Sequence, residues 1–219
     1  MPLVVFDLDG TLIDSRRDLA DAANALIAER GGRTLPVDAI AALVGEGAAL
    51  LVRRAMKAGG ADLDVRRDLP RFLELYDERL LEHTCMYEGT REMLEAMNRS
   101  CRLAILTNKP QRPTERILDG LGIAAFFTWV VGGDTTHGRK PDPAGLATLI
   151  AAAGTTAGET LMVGDSAIDL KTARAAGVPL CLVRYGFGFP TTDGLVLPDD
   201  RLIDAPSELP IVRFPSGRG

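Results

Sequence analysis

The sequence has few cysteines, no long hydrophobic segment and no signal peptide, and each shortage excludes a class of protein. Its three cysteines, Cys85, Cys101 and Cys181, are an odd number without metal-ligand spacing. Such scattered thiols fit a reducing cytosol better than a disulfide-linked secreted domain. No apolar run approaches the roughly 18 residues of a membrane span. We therefore expect a cytoplasmic protein without a membrane partner.

Positive charge is also scarce. The chain has 25 Lys and Arg against 30 Asp and Glu, a formal net charge of -5, and only four of its basic residues are Lys. This balance argues against nucleic-acid binding, which usually requires a basic face. A small phosphate ester is still a possible ligand, because a pocket can be locally positive in a protein that is acidic overall. We expect a monomer or a weak homodimer.

Short apolar runs alternate with helical patterns and predict a parallel sheet. The runs lie at 3–6, 103–106, 129–131, 161–163 and 180–183, and the helical patterns at 89–99, 110–121, 143–153 and 167–176. Each run is too short for a helix and typical of a buried parallel strand. Asp142 is expected to N-cap one helix, with Pro143 at its first position. The fold class is therefore α/β, a parallel sheet flanked by helices.

Residues 15–87 interrupt this alternation with helical patterns alone, at 17–30, 38–43, 48–58 and 65–82. We expect no strand in this interval and interpret it as an inserted helical bundle. The chain then divides into a core of residues 1–14 and 88–219 and a helical cap of residues 15–87. At the C-terminus we expect residues 213–219 to be poorly ordered.

The strongest chemical signal is Asp7-Leu8-Asp9-Gly10-Thr11, directly after the first predicted strand. In an extended backbone, residues i and i+2 point the same way, so Asp7 and Asp9 can face one small volume. Ligands of open α/β sheets bind beyond the carboxyl ends of the strands. Two acids placed there repel each other and lose solvation, which favours a functional site over a merely capped turn.

Three further elements follow later strands. Thr107 and Asn108 offer a hydroxyl and backbone amides that suit a phosphate oxygen. Lys140, one of the four lysines, is fixed by neighbouring prolines. Asp165 and Asp169 lie across a strand end and a first helical turn, where both can approach a hard cation such as Mg²⁺. Alone, each has an ordinary alternative: a common turn, a solvated lysine, or acids at a helix N-terminus.

Together and in this order, the four elements resemble the haloacid dehalogenase superfamily, in its aspartate-dependent phosphatase branch. The resemblance implies a Rossmann-like core with a helical cap inserted after the first motif. Within the branch, the chain is most similar to the bacterial phosphoglycolate phosphatases. The segments that carry this similarity are 43–48, 106–110, 132–135 and 139–143.

The resemblance implies roles for the acidic residues. Asp7 would be the nucleophile that forms an aspartyl-phosphate, and Asp9 would protonate the leaving alkoxide and later activate water. Mg²⁺ would be held by the Asp7 and Asp165 carboxylates and the Asp9 backbone carbonyl. Asp169 would support this site, through water or a hydrogen bond to Lys140.

The remaining implied roles concern the substrate. Thr107, the Asn108 amide and Lys140 would hold the transferring phosphoryl group. The cap would select the rest of the substrate, and a carboxylate there is best bound by arginine. Arg53 and Arg54 follow the Gly45-Glu46-Gly47 loop, and Arg54 matches the family pattern better, although a solvated arginine is the simpler interpretation.

The sequence therefore predicts a Mg²⁺-dependent phosphatase with 2-phosphoglycolate as its substrate. The alternatives are a phosphatase for another small ester, a sugar-phosphate mutase, which also keeps Asp7 and Asp9, and a non-catalytic regulatory scaffold. The intact set of acids and Lys140 argues against the last. A dehydrogenase would need a Gly-x-Gly-x-x-Gly turn after a strand, whereas Gly45-Glu46-Gly47 lies between helices.

Overall fold

A six-stranded parallel sheet forms the centre of the computed structural model, which describes residues 1–211. Its strand order is β5-β4-β1-β6-β7-β8. The strands are β1 (Leu3–Phe6), β4 (Arg102–Leu106), β5 (Phe127–Val131), β6 (Thr160–Gly164), β7 (Leu180–Val183) and β8 (Arg201–Ile203). The predicted α/β fold class is confirmed. The predicted disorder of residues 213–219 lies outside the described residues.

The first strand is central because its side chains are apolar on both faces. Val4 and Phe6 pack into one hydrophobic core, and Leu3 and Val5 into a second core on the opposite face. All four are fully buried. Since β1 pairs with β4 on one side and β6 on the other, the chain connections diverge beyond its carboxyl end. That divergence opens a crevice, the usual ligand site of such sheets.

Four helices flank the sheet: α5 (Thr90–Asn98), α6 (Gln111–Gly120), α7 (Ala144–Ala153) and α8 (Ala167–Ala175). Their ends lie within about two residues of the predicted ones, the usual uncertainty of helix boundaries. The predicted N-cap of α7 was wrong. Pro143 is its N-cap, and Asp142 instead accepts a hydrogen bond from the Ala144 N–H at 2.8 Å.

Four other helices form the helical segment of residues 16–79. They are α1 (Arg16–Glu29), α2 (Val37–Ala41), α3 (Ala48–Gly59) and α4 (Val65–Arg79). Their apolar faces share one core with the β1 face that carries Val4 and Phe6.

Within residues 1–211, no helix combines the length and the apolar character required to cross a bilayer. The domain boundaries at 14/15 and 87/88 stay a prediction.

A short antiparallel pair joins the two ends of the helical segment. In it, β2 (Ile13–Asp14) pairs with β3 (Cys85–Met86), which corrects the expectation of no strand in residues 15–87. Two-residue strands are too short to show any periodicity. The edge strand β8 was also missed, because its alternation covers only three residues, of which Ile203 alone is buried.

A buried side chain, Asp18 of α1, also stabilises the junction at the β2–β3 pair. Its carboxylate is completely buried and accepts hydrogen bonds from the His83 N–H at 3.0 Å and the Thr84 N–H at 2.8 Å. The Thr84 hydroxyl donates a third hydrogen bond at 2.7 Å. A buried charge is tolerated when donors surround it in this way. Asp18 therefore ties the start of the helical segment to the residues that follow it.

Asp18→Ala is expected to lower the free energy of unfolding by about 3 kcal/mol, because the donors of His83 and of the buried Thr84 would lose their acceptor. Chemical denaturation measures this loss. The control is Asp21→Ala in the same helix, whose side chain is 40% exposed and, within residues 1–211, forms an ion pair only with Arg17. That variant should stay within about 0.5 kcal/mol of wild type. Equal effects of the two variants would contradict the role of Asp18.

Candidate active site

The predicted acidic residues and Lys140 converge beyond the carboxyl end of β1. Asp7 follows this strand, and its N–H donates to the Val163 carbonyl of β6 at 2.9 Å. The Lys140 Nζ lies 2.8 Å from Asp7 Oδ1 and 2.6 Å from Asp169 Oδ1. The other Asp169 oxygen accepts hydrogen bonds from the Ser166 N–H at 3.1 Å and hydroxyl at 2.6 Å. One buried ammonium thus joins two carboxylates from distant parts of the chain.

Asp165 completes a cluster of three buried carboxylates, each of which has one oxygen within 4.8 Å of an oxygen of the other two. Burial raises the pKa of Asp7 to about 6, although Lys140 opposes this rise. Burial, and then the charges of Asp169 and Asp7, hold the pKa of Asp165 well above its usual value. Burial disfavours the charged form of Lys140, but Asp169 and Asp7 outweigh it and raise the Lys140 pKa. Lys140 contributes one positive charge to this cluster, so the three carboxylates, when ionised, carry more negative charge than it neutralises.

This donor set fits Mg²⁺. The ligands available are carboxylate oxygens, which a hard cation prefers, and a divalent charge would balance the acids that Lys140 does not neutralise.

The space that the Asp165 side chain occupies depends on nearby glycines. Gly10 has a φ of +85°, and a Cβ there would lie 1.9 Å from Asp165 Oδ2. The Gly188 N–H donates to the same oxygen at 2.7 Å.

Asp9 has different surroundings from Asp7. Both of its carboxylate oxygens lie 2.9 Å from the Lys109 Nζ, and the Ser15 hydroxyl donates to one of them. Lys109 is buried, and its Nζ lies 4.7 Å from the centre of the Tyr76 ring in α4. Burial disfavours the charged form of Lys109, but Asp9 reverses this and raises its pKa. Burial also raises the pKa of Tyr76 to about 12, so that its hydroxyl keeps its proton.

Lys109 and Tyr76 were missed in the sequence analysis. For Lys109 a signal existed, since it is one of four lysines and directly follows the Thr107-Asn108 motif. Tyr76 gives no such signal, because a tyrosine on a helix is usually part of the core. Only the packing of α4 against the turn after β4 brings it to Asp9.

Thr107 and Asn108 lie in the turn after β4, as the sequence predicts. The Thr107 N–H donates to Val131 of β5 at 3.0 Å. The Asn108 side-chain amide donates to the Gly45 carbonyl at 2.8 Å and to the Lys140 carbonyl at 2.9 Å. Asn108 therefore links the turn after β4 both to the helical segment and to the loop that carries Lys140. Its side chain has a structural task, which leaves its backbone amide for a ligand.

The residues suggested for substrate selection separate into two groups. Gly45 lines the cavity next to the carboxylates. Glu46 and Arg54 instead form an ion pair at 2.6 Å, with both side chains about two-fifths exposed. Neither is among the residues that line the cavity in the described part of the chain. The structure therefore does not bring Arg54 to the carboxylates.

The cavity has one polar and one apolar side. Strand ends supply the polar side, and the helical segment supplies most of the apolar side. The polar lining includes Asp7, Asp9, Thr107, Asn108, Lys109, Asp165 and Ser166, and the apolar lining includes Leu19, Val44, Leu51, Phe72, Leu73 and Tyr76. Such a site can bind a small charged group at the strand ends while excluding water from it.

Comparison with known proteins gives matches over most of the chain. The family model for haloacid dehalogenase-like hydrolases matches residues 4–183. A phosphoglycolate phosphatase of Pseudomonas syringae pv. tomato is 38% identical, over 99% of this chain and 86% of its own length. One from Rhodospirillum rubrum is 44% identical, over 84% of this chain and 80% of its own length. The predicted resemblance is confirmed.

Solved structures agree as well. The crystal structure of a predicted phosphoglycolate phosphatase from Haemophilus somnus superimposes with a TM-score of 0.89 at 28% identity. The match covers 95% of this chain and 96% of that one. The Rossmann-like parallel sheet with its flanking helices is therefore shared with that structure.

Asp165→Asn is expected to raise the melting temperature in EDTA at pH 8 by roughly 2–4 °C. A raised pKa means that Asp165 is harder to ionise in the folded than in the unfolded protein, so it costs stability at pH 8, and this cost disappears with the charge. Differential scanning calorimetry measures the shift. Added Mg²⁺ should then stabilise wild type more than the variant.

The control is Asp14→Asn. The Asp14 carboxylate accepts hydrogen bonds from the Arg16 guanidinium at 2.9 and 2.7 Å, and these bonds lower the pKa of Asp14. A lowered pKa means that the charged form stabilises the fold at pH 8, so this variant should melt below wild type. A fall in melting temperature for Asp165→Asn as well would contradict the charge argument.

Proposed function

Because the chain belongs to the haloacid dehalogenase-like hydrolase family, we propose that it hydrolyses a small phosphate monoester, 2-phosphoglycolate, to glycolate and phosphate. The observation that carries this proposal is the Asp7 carboxylate, held by Lys140 within the buried carboxylate cluster at the cavity. The names of the relatives from Pseudomonas syringae and Rhodospirillum rubrum support the choice of substrate. We place the enzyme in the cytoplasm, as a monomer or a weak homodimer.

In this mechanism Asp7 is the nucleophile. One of its carboxylate oxygens forms a bond to phosphorus while the bond from phosphorus to the ester oxygen breaks, which yields an aspartyl-phosphate and an alkoxide. Asp9 gives its proton to that alkoxide. It then takes a proton from a water molecule that attacks phosphorus, and the bond between Asp7 and phosphorus breaks to release phosphate.

The site must also bring an anionic nucleophile to an anionic substrate. Lys140, the Thr107 hydroxyl and the Asn108 backbone amide hold the phosphoryl oxygens in this proposal. The Asp7 and Asp165 carboxylates and the Asp9 backbone carbonyl would hold Mg²⁺, which would supply the remaining positive charge. Asp169 keeps Lys140 in place through their 2.6 Å contact.

The helical segment serves as the cap in this proposal. Its apolar side chains Leu51 and Phe72 are buried against the cavity. By excluding water they strengthen the electrostatic interactions at Asp7. Substrate entry then requires the segment to move, and such motion limits turnover in many enzymes.

The first experiment measures phosphate release from a panel of esters, with Mg²⁺ and with EDTA. The panel contains 2-phosphoglycolate, glucose phosphates, nucleoside monophosphates, pyrophosphate and p-nitrophenyl phosphate. We expect a Mg²⁺-dependent preference for 2-phosphoglycolate. A preference for another ester would retain the Asp7 chemistry and reject the substrate. No release from any ester would favour the mutase or the non-catalytic scaffold.

Lys140→Ala is expected to lower kcat by at least about 100-fold, because one preorganised charge at the phosphoryl group is lost. Steady-state kinetics with 2-phosphoglycolate measure the effect, and a melting curve verifies that the variant is folded. The control is Lys171→Ala on the exposed face of α8, which should keep wild-type activity. Turnover of Lys140→Ala within tenfold of wild type would refute the role of Lys140.

A further inference from the structure

We propose that Lys109 and Tyr76 form a second subsite in the cavity, which binds the carboxylate of the substrate while Lys140 and Thr107 hold its phosphoryl group. This inference rests on the proposed function and deepens it, because it names the side chains that select the substrate. It also replaces Arg54 in that task.

Lys109 supplies the charge that a carboxylate needs. Among the residues of the described chain that line the cavity, it is the only lysine or arginine. Its ammonium has three N–H donors, and the two Asp9 oxygens, each 2.9 Å away, account for two of them. The third makes no hydrogen bond of ordinary geometry within residues 1–211, although the Tyr76 side chain lies near enough to raise the Lys109 pKa. Because Asp9 and the Tyr76 ring hold the ammonium in one place, little side-chain entropy is lost when a ligand binds.

Tyr76 supplies an unused donor next to this charge. Its side chain is 98% buried, since only 2% of its surface is exposed, and it lines the cavity. Within residues 1–211, its hydroxyl has no hydrogen-bond partner. A buried hydroxyl without a partner costs free energy, so it indicates a position that a ligand fills. A carboxylate between Lys109 and Tyr76 would satisfy both donors.

The arginines of the helical segment lie elsewhere. Arg54 is paired with Glu46. Arg53 lines a second groove of about 400 Å³, together with Glu46, the exposed Arg139 and Lys140. Neither Arg53 nor Arg54 lines the cavity that contains Asp7. A carboxylate on a substrate bound at Asp7 therefore meets Lys109 and Tyr76 first.

The rest of the lining narrows the class of substrate. Leu19, Leu51 and Phe72 line the same cavity, and their side chains offer no hydrogen-bonding groups. The hydroxyls of a sugar phosphate would lose water there without replacement. The cavity thus favours a short ester with a carboxylate and few hydroxyls.

The test compares two esters that differ only at the end away from phosphorus. Ethyl phosphate carries a methyl group where 2-phosphoglycolate carries a carboxylate. For each protein, the selectivity ratio is kcat/KM for 2-phosphoglycolate divided by kcat/KM for ethyl phosphate. Tyr76→Phe removes only the hydroxyl and should lower this ratio about tenfold, the value of one hydrogen bond to a charged group. Lys109→Met should lower the ratio further.

Two control variants sharpen the comparison. Tyr87→Phe removes the hydroxyl of a half-buried tyrosine that packs on Tyr185 outside the cavity, and should keep the wild-type ratio. Arg54→Ala should keep it too. If Arg54→Ala lowers the ratio while Tyr76→Phe and Lys109→Met do not, the subsite is refuted and the carboxylate belongs to Arg54.

A binding measurement keeps this test separate from catalysis. Titration calorimetry of 2-phosphoglycolate and ethyl phosphate into Asp7→Asn protein with Mg²⁺ needs no turnover. The Asp7→Asn, Tyr76→Phe double variant should bind 2-phosphoglycolate about tenfold more weakly than Asp7→Asn alone. An unchanged affinity would overturn the subsite. A wild-type enzyme that hydrolyses other esters but not 2-phosphoglycolate would overturn the proposed substrate, whatever the calorimetry gives.

Discussion

The contact of Lys140 with Asp7 and Asp169 is the interaction on which the rest of the site depends. Each partner comes from a different part of the fold: the end of β1, the first turn of α8 and the loop before α7. Three buried acids in one place would repel each other and lose their hydration without compensation. The single ammonium offsets part of that cost and fixes the relative positions of the three elements.

The buried carboxylates that the proposed function needs also lower the stability of the fold at this edge of the sheet. The two hydrophobic cores meet at β1, whose four residues are completely buried, and they hold the strand end rigid while Asp7 and Asp165 repel each other. A metal ion would relieve the repulsion, so the protein gains stability from the same event that prepares it for catalysis.

The sequence was a good guide wherever a signal is local. The buried runs that became β1 and β7 have their predicted bounds, and Asp7, Asp9 and Asp165 lie at strand ends because parallel strands end at one edge. Signals that need distant packing were absent. Lys109 and Tyr76 are far apart in sequence and meet only when α4 lies on the turn after β4. Arg54 is the opposite case. Its place in the sequence predicted that it could reach the substrate, but its side chain forms an ion pair with Glu46 instead.

The pairing of β2 with β3 has a consequence for how this chain can change. Ile13 faces Met86 and Asp14 faces Cys85, so the chain returns to the point from which it departed after an excursion of some seventy residues. The entropic cost of bringing the two ends of such a segment together grows only slowly with its length. The β2–β3 pairing holds these ends together with residues outside the helices, so it does not require a particular sequence between them. Insertions whose ends meet in this way are those that proteins exchange most readily. The fold therefore permits one hydrolytic centre to acquire new substrates by replacement of the intervening helices, with the sheet left intact.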